Sequence, residues 1–130
     1  MTLLILYVST ALVFLVLDAI MLTLVMKPLF ARHIGPMLAE PVRLAPAAVF
    51  YLAYVAGLVW LVSLPALRTG APVLLPAAII GAMAYGTYEF TNYATLKGWH
   101  PAMVAVDLTW GTCLTALSAW AGVTLTRALT

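Results

Sequence analysis

The acidic residues of this 130-residue chain number four: Asp18, Glu40, Glu89 and Asp107. Three of them, Asp18, Glu89 and Asp107, lie inside long apolar stretches. Carboxyl groups in that setting hold and pass protons, bind a cation or cationic ligand, act as acid–base groups, or tie helices together. The densest polar cluster is YGTYEFTNY, residues 85–93, which puts Tyr85, Tyr88, Asn92 and Tyr93 around Glu89. No lysine or arginine lies within the apolar stretches to neutralise these acids. The expected counter-charge is therefore a proton, a bound cation or a cationic ligand, or Lys27 or Lys97 folding inward along its alkyl stem.

The elements that must position these groups follow from the hydrophobic pattern. The chain is 65% hydrophobic and 8% charged, against about half and about a quarter for soluble domains. A short chain cannot cover its surface with ten charged residues, so lipid is its main solvent. Four apolar runs, about 3–26, 46–67, 73–93 and 101–126, each approach the length of about 20 residues that a spanning helix needs. Pro46 and Pro101 open the second and fourth runs, where proline suits a first helical turn. Lys27-Pro28 and Arg68-Thr69-Gly70 close the first and second. The expectation is an all-α integral membrane protein, one domain over 1–130, with four transmembrane helices packed as a bundle. The first run lacks the basic start and cleavage site of a signal peptide. The one long connection, residues 27–45, is proline-rich and predicted to lie at the interface, with a short helix or re-entrant piece. The first and third connections carry Lys27, Arg32, Arg43 and Lys97, against Arg68 and Arg127 on the other edge. Four against two puts the long connection in the cytoplasm and both termini on the periplasmic side of a bacterial inner membrane.

Depth then brings the acids together. Asp18 lies nine residues before Lys27, Glu89 several before the end of the third run, and Asp107 six after Pro101. At 1.5 Å per residue, all three lie about 9 to 14 Å inside the same edge. Tyr51 and Tyr54 fall in this layer from the second helix. At 100° per residue Glu89 shares a face with Ala78, Ala82 and Tyr85, and Asp107 one with His100, Met103, Gly111 and Ser118. Asp18 shares one with Tyr7, Ala11, Phe14 and Leu22. Small residues mark close helix contact, so each acid is expected to face its neighbours. Hydrogen-bonding glue would account for one such acid. Three at one depth argue for a binding site built from Asp18, Tyr51, Tyr85, Tyr88, Glu89, Asn92, Asp107 and Trp110, with Lys97 and His100 as further candidates.

Other residues say less. His100 is expected to cap the fourth helix and His33 to be solvated. Trp60, Trp99 and Trp120 are placed as an interfacial belt. Cys113 is alone, which excludes a disulfide framework, and is expected to be a buried thiol. The oxygen donors suit a hard divalent cation without requiring one. The Glu-x-x-His pair of di-iron bundles is absent, since Asn92 stands three places after Glu89. No metal centre is therefore assigned. A net charge of +2 gives no basis for binding nucleic acid.

The stretch AYGTYEFTNYATLKGWHPAMVAVDLTWGT, residues 84–112, with LDAIML around Asp18, resembles a small bacterial membrane-protein family known as domain of unknown function 2177 (DUF2177). The resemblance runs over essentially the whole chain and implies four spans and no established activity. The family usually reads YDLTN where this chain has YEFTN, so Glu89 stands for an aspartate one methylene shorter. It usually has proline directly after the tryptophan, where this chain inserts His100. The resemblance also implies a setting near fatty-acid-modifying enzymes and oxidative-stress regulators. Three functions follow. The first is binding or transfer of a small ligand, proton, cation or lipid by the carboxylate–tyrosine layer. The second is a membrane enzyme acting on lipid acyl chains. The third is a non-catalytic subunit of a larger membrane complex. The partners expected are membrane lipids, and further copies or subunits.

Overall fold

The computed structural model describes residues 1–130. It is all-helical, with no strand. Four helices follow one another: α1 Thr2–Met37, α2 Leu44–Thr69, α3 Leu74–Thr95 and α4 Pro101–Leu129. Three of them, α1, α2 and α4, are long and apolar enough to cross a membrane. The 22-residue α3 has the length, about 33 Å, but its second half carries Thr87, Glu89, Thr91, Asn92 and Thr95.

One expectation needs correction. Lys27-Pro28 does not end the first helix. The chain passes through a π-helical turn, Leu22–Met26, and continues helical to Ile34, then through a short 3-10 turn to Met37. A proline inside a helix removes one N–H and presses its ring on the carbonyl four residues back. The widened turn just before Pro28 shifts that hydrogen-bond register, so the helix survives. In α2 the π-turn Val59–Ser63 stands in the same relation to Pro65. The irregular connection thus shrinks to residues 38–43. The Lys27–Ile34 extension is amphipathic: Lys27 and Arg32 are exposed, while Ile34 is buried and Leu29 and Phe30 are half-buried.

Helix ends elsewhere follow simple chemistry. α2 stops at Gly70, whose φ of 73° is left-handed and whose N–H bonds to the Ala66 carbonyl at 3.0 Å. α4 starts at His100, whose Nδ1 accepts the Ala102 N–H at 3.0 Å, with Pro101 in the first turn.

α4 is the central helix. It supplies eleven of the 28 buried residues and packs against α3 on one side and α1 on another. α3 and α4 come close because Gly81 and Gly111 lie between them. A Cβ on Gly81 would stand 2.6 Å from the Gly111 carbonyl oxygen. A Cβ on Gly111 would stand 2.0 Å from the Tyr85 ring. Large apolar side chains cover the outside of all four helices, among them Leu4, Val16, Phe50, Leu61, Leu75, Met83, Phe90 and Leu117. An exterior of this kind on every helix suits acyl chains and not water.

Candidate functional site

Each helix brings a polar side chain to one layer of the bundle. Glu89 sits on α3 and is fully buried, with 0% exposure. Its Oε1 accepts the indole N–H of Trp99 at 3.0 Å. Its Oε2 is buried with no hydrogen-bond partner. Trp99 reaches back because α3 ends at Thr95 and Gly98, at φ 82°, turns the chain under the helix. Asp107, two turns into α4, is 8% exposed and lies near Glu89. Asp18 on α1 is 8% exposed, and its Oδ1 accepts the Trp110 indole N–H at 3.2 Å. The Tyr51 hydroxyl, from α2, lies against Asp18 and near Asp107.

Aromatic rings wall this layer. Phe14 packs on Tyr51 and Tyr54 with centroids 5.5 and 5.8 Å away. Tyr54 and Thr115 share a hydroxyl hydrogen bond of 3.0 Å. The Tyr85 hydroxyl is buried near Asp18 and Asp107 and has no partner. Trp99 meets Tyr88 edge-on at 5.9 Å and Phe30 of the α1 extension at 5.3 Å. The extension therefore lies over Trp99, and Trp99 over Glu89.

Among the residues singled out from sequence, Asp18, Tyr51, Tyr85, Glu89, Asp107 and Trp110 come together. Tyr88 and Asn92 interact with each other, and Tyr88 is 52% exposed. Lys97 is exposed and does not fold inward. His100 is exposed, serves as the cap of α4, and stacks on His33 with ring centroids 4.2 Å apart and 15° between planes. His33 is half-buried rather than freely solvated. It lies beyond the apolar part of α1, and burial, then His100 and Arg32, hold it below the usual imidazole range.

Two expectations are corrected. Trp99 does not belong to an interfacial belt: it is 7% exposed and holds Glu89. Cys113 is exposed, not buried. It lines an apolar groove of about 550 Å³ with Met21, Ala105, Val106, Thr109 and Trp110, on the face of α4 beside α1. α4 turns its small and polar residues inward, which leaves Cys113 outside.

No group of three His, Cys, Asp or Glu side chains stands close enough to hold a metal ion. The hydrogen bonds to Glu89 and Asp18 come from indoles, with no lysine, arginine or histidine among the donors. Two neighbouring carboxyl groups in a low-dielectric interior disfavour double ionisation, and a proton on one of them relieves the pair. Carboxyl groups so placed can hold a proton.

The model of a family described as predicted membrane protein, DUF2177, matches residues 3–124. The chain belongs to that family. It is a membrane protein with helices able to cross a bilayer. No curated protein and no solved structure matches the chain.

Sequence reasoning set Trp99 in an interfacial belt of this DUF2177 chain rather than at the site, although a signal for the inward placement was present. Trp99 stands ten residues after Glu89 across a Lys97-Gly98 turn. A reversal there returns the indole to the last turns of α3. A tryptophan beside a glycine turn has two uses, an interfacial anchor or an inward donor, and only packing decides between them.

Proposed function

We propose that the protein spans a bacterial inner membrane four times and binds and transfers a proton, or a small cationic ligand in its place, at the Asp18–Glu89–Asp107 layer. One observation carries this reading. Glu89 is fully buried beside Asp107, one oxygen held by Trp99 and the other without a donor. A buried carboxyl pair with no basic partner is expensive in lipid and is usually functional. Sharing a proton is the arrangement that lets two carboxyl groups occupy one low-dielectric site.

The fourth span is α3. Its exposed threonines donate to carbonyls of the preceding turn: Thr87 to Met83 at 2.6 Å, Thr91 to Thr87 at 2.5 Å, Thr95 to Thr91 at 2.8 Å. Hydroxyls satisfied within the helix are acceptable to lipid. The edge bearing Lys27, Arg32, Arg43 and Lys97 faces the cytoplasm, which leaves both termini periplasmic.

Infrared difference spectroscopy of the protein in lipid tests the site. A carbonyl stretch of a protonated carboxylic acid is expected at neutral pH, lost in both Glu89→Gln and Asp107→Asn. Wild-type protein without that band would overturn the reading. The groove of about 550 Å³ beside Trp110 supports a second reading, in which an acyl chain lies at the depth of Asp18 and the acids act on it. A fatty-acid profile changed by deletion, and restored by wild type but not by Glu89→Gln, would favour that one.

A further inference from the structure

His33 and His100 come from different parts of the chain, the α1 extension and the cap of α4, yet their rings stack at 4.2 Å and 15°. Neutral imidazoles stack well, and two imidazolium rings at that separation repel. His100 has a second constraint. Its Nδ1 accepts the Ala102 N–H at 3.0 Å, which requires that nitrogen to be unprotonated. A doubly protonated His100 can neither cap α4 nor tolerate a charged His33. The next residue back is Trp99, which holds Glu89 Oε1.

The extension and the turn form one unit. Ile34, Trp99, Met103 and Val104 make a buried cluster, with Leu29, Phe30 and Leu38 packed on it. The His33 carbonyl oxygen comes within 3.3 Å of where a Gly98 Cβ would stand. Trp99 holds Glu89, Phe30 packs on Trp99 at 5.3 Å, and the stacked histidines adjoin this unit, His33 next to Ile34 and His100 next to Trp99.

We infer that the His33–His100 stack is an acid-sensitive latch, which holds the α1 extension over Trp99 and closes the edge-side approach to Glu89. This rests on the reading of Glu89 as a proton- or ligand-binding group and supplies its regulation. The charged or titratable groups acting on His33 are His100, from the cap of α4, and Arg32, on its own helix. Lys97 adds positive charge to the same turn. All of these oppose a charged ring, and no carboxylate is among them. The sign follows. His33 is lowered in the closed form relative to its ordinary 6.5. The latch is at full strength above that value and weakens as pH falls from it through the lower closed-state value. A switch there lies within the histidine window of about pH 5 to 8.

The test is the pH titration of the four indole N–H signals by NMR, with ¹⁵N-labelled protein in lipid nanodiscs. The expected result is a Trp99 signal that shifts and broadens as pH falls below the ordinary histidine value, while Trp110 stays in place. His100→Asn supplies a capping oxygen that does not titrate, and should abolish the Trp99 transition with the neutral-pH spectrum retained. His33→Asn should abolish it as well, and serves where the cap variant folds poorly. A flat Trp99 signal in the wild type would overturn the latch. So would a transition that persists in both variants, since it would then belong to the carboxyl pair. The infrared band of that pair is read separately. A band without the transition sinks the latch alone, and the transition without a band sinks the proton site alone.

Discussion

Replacing Trp99 with phenylalanine removes one hydrogen-bond donor and keeps an aromatic ring. The donor in question serves Glu89, which has 0% exposure and a second oxygen already without a partner. No water can take the place of the indole without opening the cluster of Ile34, Met103 and Val104. A hydrogen bond to an ionised group contributes about 1.5–3 kcal/mol, and one to a neutral group about 1 kcal/mol. Under the proposed reading the pair holds one proton, and where Glu89 is the ionised partner Trp99 donates to a carboxylate. Trp99→Phe should then cost about 2–3 kcal/mol in the wild type. In a Glu89→Gln background the same change meets a neutral amide oxygen, so its cost should fall by about 1 kcal/mol. Reversible unfolding of all four proteins of the cycle in mixed micelles measures both numbers. A wild-type cost below about 0.5 kcal/mol would show that the indole only packs. Equal costs in the two backgrounds would show that Glu89 carries no charge, and its assignment as the ionised partner of the pair would be wrong.

Two further outcomes follow from the packing. Gly111→Ala places a methyl 2.0 Å from Tyr85 ring carbon, so Tyr85 must move and stability should drop by about 1–3 kcal/mol. Gly86→Ala meets only the flexible tip of Leu108 at 3.4 Å and is the control, unchanged within about 0.5 kcal/mol in the same unfolding assay. Cys113 faces the exterior at groove depth. It should react readily with a lipid-soluble maleimide and poorly with a charged one, as read by intact mass, and resistance to both would restore the buried-thiol expectation.

Much of the fold was legible because lipid imposes strict rules. Element number and type followed from run length, and the openings at Pro101 and near Pro46 and the stop at Gly70 followed from local chemistry. Depth counting placed Asp18, Glu89 and Asp107 in one layer, since rise per residue is fixed once a helix is assumed. Helical faces placed Gly111 on the inward side of the fourth helix, where a Cβ on it would meet the Tyr85 ring. What was not legible depended on the groups outside the regular spans. The position of Trp99 is set by a turn and by the α1 extension above it, and neither has a hydrophobic period long enough to read. Cys113 was misjudged because free cysteine is buried in soluble proteins. In a bilayer the exterior is apolar, so that preference loses its force.

The α1 extension has a cause that the spacing of its buried residues explains. Phe14, Asp18, Met26, Phe30 and Ile34 point inward or are half-buried, and they are four or eight residues apart. A regular helix repeats every 3.6 residues, so a strict spacing of four drifts about 40° per step. From Asp18 to Ile34 that is about 160°, which would carry Ile34 nearly to the opposite side. The π-turn Leu22–Met26 inserts the equivalent of one residue and takes back about 100° of this drift. Without it, Leu29 and His33 would take the inward positions, and Phe30 would leave Trp99. The same spacing of four runs through Val55, Val59 and Ser63, and through Leu58, Val62 and Ala66, across the π-turn of α2. In both helices a proline follows two residues after the widened turn, where the shifted register spares its missing N–H. The turn that keeps Pro28 inside α1 is thus the turn that brings Phe30 onto Trp99. Closure over Glu89 is a consequence of how one helix accommodates one proline.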